Sequence, residues 1–116
     1  MRLRTSMLVC CLLMVVGTPA AQLEFTPTER EWLAEHPVVS VGVDPAFAPF
    51  EFVDDEGRHR GAGADYLQLV GERLGIHFEP QTTLSWPETM AAVETGRIDV
   101  LACVGITAQR QDFLRY

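Results

Sequence analysis

Residues 38–53 read VVSVGVDPAFAPFEFV, and this stretch decides the fold. Residues 38–43 are β-branched and almost wholly apolar, the pattern of a strand covered on both faces. Prolines at 45 and 49 mark residues 44–50 as a loop. Residues 50–53 and 58–60 flank Asp54-Asp55-Glu56-Gly57, which predicts a β-hairpin with a loose acidic turn. A buried strand therefore runs straight into a loop that carries an acid, Asp44, and an aromatic ring, Phe47, three residues on.

The segments on either side complete an alternating pattern. Upstream, Thr26-Pro27-Thr28-Glu29 supplies a cap, a proline at the first helical position and Glu at the third. The short helix that follows carries Trp32 and Leu33 and ends before Pro37. Downstream, residues 63–74 predict a helix with Asp65 in its first turn. Leu67, Val70 and Leu74 share one of its faces, and Gly75 stops it. Residues 76–80 form a short strand. Ser85 caps a further helix that begins at Trp86-Pro87-Glu88, turns Met90, Ala91 and Val93 to the sheet, and ends at Gly96. Residues 98–104 are a second apolar strand, residues 107–112 a helical turn, and residues 113–116 the start of an extended segment.

This order defines an α/β fold, a mainly parallel sheet flanked by helices. Such sheets bind ligands outside the carboxyl ends of their strands. Here those ends lead into residues 44–50, 82–86 and 105–110, so three separate segments converge on one rim.

The first residues belong to a different element. Arg2 and Arg4 precede an uncharged apolar run over residues 7–16, and small residues follow at 17–21. That order predicts a secretory signal peptide over residues 1–20, cut after Ala20 or, alternatively, Ala21. The run is short for a membrane span, which needs about 20 apolar residues. Residues 21–37 are then a lead-in with the short helix, and residues 38–116 the domain proper. An exported, periplasmic product follows from this reading.

Beyond residue 20 the chain has seven arginines, no lysine and sixteen acids. A surface so poor in basic clusters argues against nucleic acid and anionic membranes as partners. Cys103 is the one cysteine in that region and lies in an apolar stretch, as a buried inert thiol would. His36, His59 and His77 lack metal-ligand spacing, so no metal is expected, and nothing in the pattern points to a cofactor. No Ser/His/Asp or Cys/His arrangement stands out, and no catalytic residue is assigned.

The rim offers chemistry for binding. Asp44 can accept hydrogen bonds from a ligand ammonium, and Phe47 can cover an apolar or planar face or attract a cation. Equally, Asp44-Pro45 can start a turn while Phe47 packs in the core. Trp86 can stack on a ligand or simply pack. Arg110 presents a planar fork suited to a carboxylate, and Thr107, three residues earlier, can add a hydroxyl. The plain alternative for Arg110 is a surface pair with Asp112 or a neighbouring acid.

Three motifs extend this reading. VGVDPAFAPFEF over residues 41–52 resembles the opening motif of the family 3 extracellular solute-binding proteins. GAGADYL over residues 61–67 is similar to that family's next motif. GRIDV at 96–100 followed by TAQR at 107–110 is similar to its third. The resemblance runs from about residue 26 to residue 116. It implies the first lobe of a type II periplasmic-binding (Venus-flytrap) fold, in which two α/β lobes close on a small ligand. It implies ligand contacts at Asp44, Phe47 and Trp86, and a carboxylate held by Arg110.

The stretch Ala102-Cys103-Val104-Gly105 lacks the hydroxyls usual in transport-type amino-acid binders. Its spacing, and the lead-in helix, look more like flytrap domains fused to membrane sensors. A complete domain of this type is roughly twice as long, so the chain is expected to be an incomplete first lobe that binds weakly alone. The partners implied are a small polar or amino-acid-like molecule, the second lobe, and a membrane transporter or fused signalling domain. Flytrap domains of lytic transglycosylases and related cyclic-acid dehydratases give the alternative, an enzymatic product.

Overall fold

The computed structural model describes residues 23–116; the signal peptide read over residues 1–20 lies outside them. Helix α1 (Pro27–Glu35) starts as its sequence dictates. The Glu29 amide donates to Thr26 Oγ1 at 3.3 Å, and the Thr26 amide donates to Glu29 Oε2 at 2.7 Å. The Thr26 hydroxyl also donates to Glu29 Oε2 at 2.8 Å, and the Thr26 amide first and this hydroxyl second hold the Glu29 carboxyl below its ordinary range. No residue of α1 is buried. Trp32 instead stacks on His36, with ring centroids 4.2 Å apart.

Strand β1 (Val38–Gly42) is the centre of the main sheet. It leads to a small antiparallel sheet of β2 (Ala46–Phe47), β3 (Glu51–Val53) and β4 (His59–Arg60), in that order. Helix α2 (Ala62–Leu74) then returns the chain to β5 (His77–Gln81), which lies parallel beside β1. Helix α3 (Trp86–Glu94) leads to β6 (Val100–Leu101), parallel on the other side of β1. A last turn, α4 (Ala108–Gln111), follows. The main sheet is thus β5-β1-β6, all parallel, as the alternation of helices and strands predicts. Pro80 sits in the outer strand β5, where a missing amide is tolerated.

The core is built on β1. Val39, Val41 and Val43 are 5%, 0% and 1% exposed, with Ala92 and Ile98 beside them. Helices cover both faces. Gly71 of α2 lies against the entry to β5: an added Cβ would meet the Ile76 carbonyl oxygen at 2.9 Å, with the Phe78 ring in ordinary contact at 3.4 Å. Phe78 is in register with Val39 and so shares its face. On α3, the Thr89 hydroxyl donates to the Val43 carbonyl at 3.4 Å. The expectation of a strand covered on both faces therefore holds from residue 39 onward, while Val38 is exposed.

Five details differ from the sequence reading, the acidic turn being the last. Residues 46–47 form a strand rather than loop, because Ala46 and Phe47 pair with Phe52 and Glu51. The inward face of α2 carries the buried glycines 63 and 71, while Val70 stays exposed beside Tyr66 and Leu69. Close helix approach was achieved with glycine, which a hydrophobic periodicity cannot register. On α3 the buried residues are Thr89 and Ala92, one step round from the predicted face, and Ala91 is exposed. Strand β6 is only two residues long. Asp99 precedes it with a side-chain clasp, accepting from the Ser40 amide at 2.8 Å and hydroxyl at 2.6 Å. These two bonds hold the Asp99 carboxyl below its ordinary range.

The acidic turn is not loose. Asp54 accepts from the amides of Glu56 and Arg58 and from both the Arg58 and Arg60 guanidiniums, at 2.8–3.1 Å. The Arg58 amide, ahead of the guanidiniums, brings its carboxyl down to about 2.

Candidate ligand-binding rim

The carboxyl ends of β1, β5 and β6 lead into the three segments named from sequence. Asp44 follows β1 and is half-buried. Its amide donates to Glu51 Oε1 at 3.0 Å, and its Oδ1 accepts the Ala46 amide at 3.0 Å. The second bond is a turn-initiating contact. It occupies one carboxylate oxygen and leaves Oδ2 without a partner among the described residues. Asp44 thus serves its own turn and still presents an acceptor.

Phe47 is 42% exposed, so the core alternative does not hold for it. Its ring leans on Phe50, itself exposed, with centroids 5.2 Å apart and planes tilted by 41°. Together they make an aromatic ledge beside Asp44.

Trp86 and Arg110 come from different segments and meet. The Arg110 guanidinium carbon lies 5.6 Å from the Trp86 ring centroid, within cation–π range. Arg110 Nη1 donates to the Gly105 carbonyl at 2.9 Å, and the Tyr116 hydroxyl donates to the same oxygen at 3.2 Å. Thr107 Oγ1 accepts the Arg110 amide at 3.2 Å and so caps α4. That bond uses an oxygen lone pair and leaves the hydroxyl hydrogen available to donate. The suggested surface pair between Arg110 and Asp112 is not formed. The guanidinium is held on an aromatic plane by one backbone carbonyl, and its other nitrogens have no hydrogen-bond partner among the described residues.

Behind Asp44 lies a polar pair that the sequence reading did not assign. Glu51 is 0% exposed. Its Oε2 stands 2.9 Å from Nε2 of His59, whose side chain is 6% exposed. The hairpin register pairs Val53 with His59, so Glu51 and His59 are diagonal neighbours on one face. That diagonal was the available signal. Beside the pair, the Cys103 thiol is pushed up, first by burial and then by the Glu51 carboxylate, as an inert thiol would be.

A groove of about 860 Å³ lies elsewhere. Arg58, His59, Arg60, Asp65, Gln68 and His77 are among its walls, along β4, α2 and β5, and it touches none of the five candidate residues. The rim carries Asp44, the Phe47–Phe50 pair and the Trp86–Arg110 pair at the strand ends, whereas the groove is an open channel of mixed apolar, polar and charged walls. No cluster of metal-ligating side chains occurs among the described residues.

A parallel-sheet lobe with an acid, an aromatic pair and a stacked arginine in the segments after its strands has the layout in which such sheets hold small ligands. The family model for bacterial extracellular solute-binding proteins, family 3, matches residues 39–116, and the chain belongs to that family. It is 32% identical over 92 residues to the virulence sensor protein BvgS of Bordetella pertussis, covering 79% of this chain and 7% of that protein. It is 31% identical over 86 residues to the arginine-binding protein ArgT of Corynebacterium glutamicum, covering 74% of this chain and 27% of that one.

Among solved structures, the BvgS periplasmic domain superposes with a TM-score of 0.70 at 30% identity, over 77% of this chain and 17% of that one. The arginine-bound form of domain 1 from TmArgBP gives 0.60 at 27% identity, over 70% and 64%. The chain therefore spans a small part of the curated relatives it matches. These relatives are sensors and solute-binding proteins, and they lend no support to the transglycosylase or dehydratase alternative.

Proposed function

We propose that residues 38–116 are the ligand-contacting first lobe of a periplasmic sensor or binding protein for a small amino-acid-like solute. The observation that carries this is the Arg110 guanidinium, held over Trp86 with nitrogens to spare. In the proposed complex Arg110 and the Thr107 hydroxyl take the ligand carboxylate. Asp44 Oδ2 takes an ammonium or guanidinium, and the Phe47–Phe50 ledge covers the ligand's apolar part. Residues 1–20 export the chain, and α1 is the lead-in. The sensor branch is favoured over the transport branch by the better superposition on the BvgS periplasmic domain, TM-score 0.70 against 0.60 for domain 1 of TmArgBP. Coupling to a signalling domain would arise because a second lobe closes only over a filled rim.

TmArgBP domain 1, crystallised with arginine, supports a single lobe retaining a half-site. L-Arginine is therefore the first probe. Trp86 is one of two tryptophans, so a Trp32→Phe background makes it the sole reporter. Arginine should change Trp86 fluorescence with a Kd of about 10 µM to 1 mM, since one lobe buries only part of a ligand. A nanomolar Kd would refute the half-site account. No response to any of the twenty amino acids at 10 mM, on the order of the weakest affinity worth calling binding, would refute the ligand class.

A further inference from the structure

The Glu51 side chain has no direct part in the rim, yet it governs two residues that do. Its carboxylate accepts the Asp44 amide at 3.0 Å. Its backbone pairs with Phe47 in the β2–β3 ladder. One residue thus ties down the residue at each end of the segment from Asp44 to Phe47. Glu51 is in turn held by His59 Nε2 at 2.9 Å. The His59 ring also forms part of the wall of the wide groove, and so separates the Glu51 carboxylate from that solvent. A fully buried carboxylate is retained at a cost of several kcal/mol unless its oxygens are satisfied. Here one oxygen is satisfied by His59 and the other by the first residue of the ligand loop.

We propose that Glu51 and His59 are positioning residues for the ligand loop: Glu51 fixes the Asp44 amide from behind, and His59 fixes Glu51. The proposal rests on the binding function put forward for the rim. The geometry makes it specific. The bond from Glu51 to Asp44 is made by the side chain, whereas the pairing with Phe47 is made by the backbone. Removing the carboxylate should therefore loosen residue 44 and leave the β2–β3 pairing in place. A residue that merely filled the core would loosen both or neither.

The test uses the full chain, labelled with ¹⁵N, and two readouts: amide exchange at Asp44 and Phe47, and the Kd for L-arginine. Glu51→Gln keeps an acceptor for the Asp44 amide. It should preserve protection there and stay within about threefold of the parent Kd. Glu51→Leu fills the space without an acceptor. Asp44 exchange should quicken about tenfold or more, as expected for loss of a hydrogen bond to a charged group. Phe47 should change little, and the Kd should rise by a similar factor.

A folded Glu51→Leu chain with unchanged Asp44 protection overturns the proposal. So does one in which Asp44 and Phe47 quicken equally. If Glu51→Leu does not fold, His59→Phe decides by the same exchange comparison, since it removes the group that holds Glu51. If the parent chain does not bind arginine, the binding function fails, while the exchange data still decide whether Glu51 positions residue 44.

Discussion

Gly61→Ala is the most informative single change, because Gly61 joins the rim to the helix that supports it. Its backbone lies at φ 105° and ψ −179°, a region essentially closed to side-chain-bearing residues. An added Cβ would also meet the carbonyl oxygens of Phe50 at 2.6 Å and Pro49 at 2.8 Å. These are backbone atoms and cannot swing aside. The same two carbonyls accept the amides of Gly63 at 2.9 Å and Ala62 at 3.3 Å, the bonds that seat α2 on the loop.

The conformational cost is about 1–3 kcal/mol, and two weakened hydrogen bonds add roughly 1 kcal/mol each. A loss of about 3–5 kcal/mol is expected, lowering Tm by at least roughly 12 °C in a domain of this size. Gly57→Ala is the internal control. It too has positive φ, 76°, but nothing lies within 4 Å of its added Cβ. It should cost only about 1 kcal/mol. Urea and thermal unfolding followed by circular dichroism compare the two. Equal destabilisation by both substitutions would refute the close-approach reasoning.

Three further outcomes follow from the same contacts. Trp86→Leu removes the plane beneath Arg110 and should weaken arginine binding by about threefold to tenfold, the range of a cation–π contact, read by calorimetry. Arg110→Lys keeps the charge but loses the fork. It should weaken binding about tenfold or more if a carboxylate is gripped by two nitrogens, and an unchanged Kd would exclude that grip. The pH profile of stability is set in part by Asp54. Its folded value, about 2, lies below its ordinary 3.8. Its contribution is therefore complete above pH about 4 and is lost as pH falls towards 2. Asp54→Asn should flatten the unfolding profile across that window, as denaturant titrations at several pH values would show.

Most of the architecture was legible because it rests on local chemistry. The capping box at Thr26, the cap at Ser85, the valine run of β1 and the glycine stop at 75 each act within a few residues. What escaped depends on partners distant in sequence. The start of β6 is marked by the Asp99 clasp on Ser40, fifty-nine residues away. The face of α2 is chosen by close approach at Gly63 and Gly71, which a search for apolar spacing passes over. At the rim, the strand ends located the residues, but not the stacking of Arg110 on Trp86. That contact requires α3 and α4 to be packed. Glu51 was quoted within a motif without a role, because an acid in a short strand reads as exposed until its diagonal neighbour, His59, is considered.

The central claim is that the rim, and not the wider groove, is where a small solute binds. Chemical-shift mapping of the ¹⁵N-labelled chain during an L-arginine titration tests it most directly. The account predicts saturable shifts at Asp44, Phe47, Thr107 and Arg110 and at the Trp86 indole N–H. Shifts confined instead to Arg58, Gln68, Glu72 and His77 along the groove would contradict it.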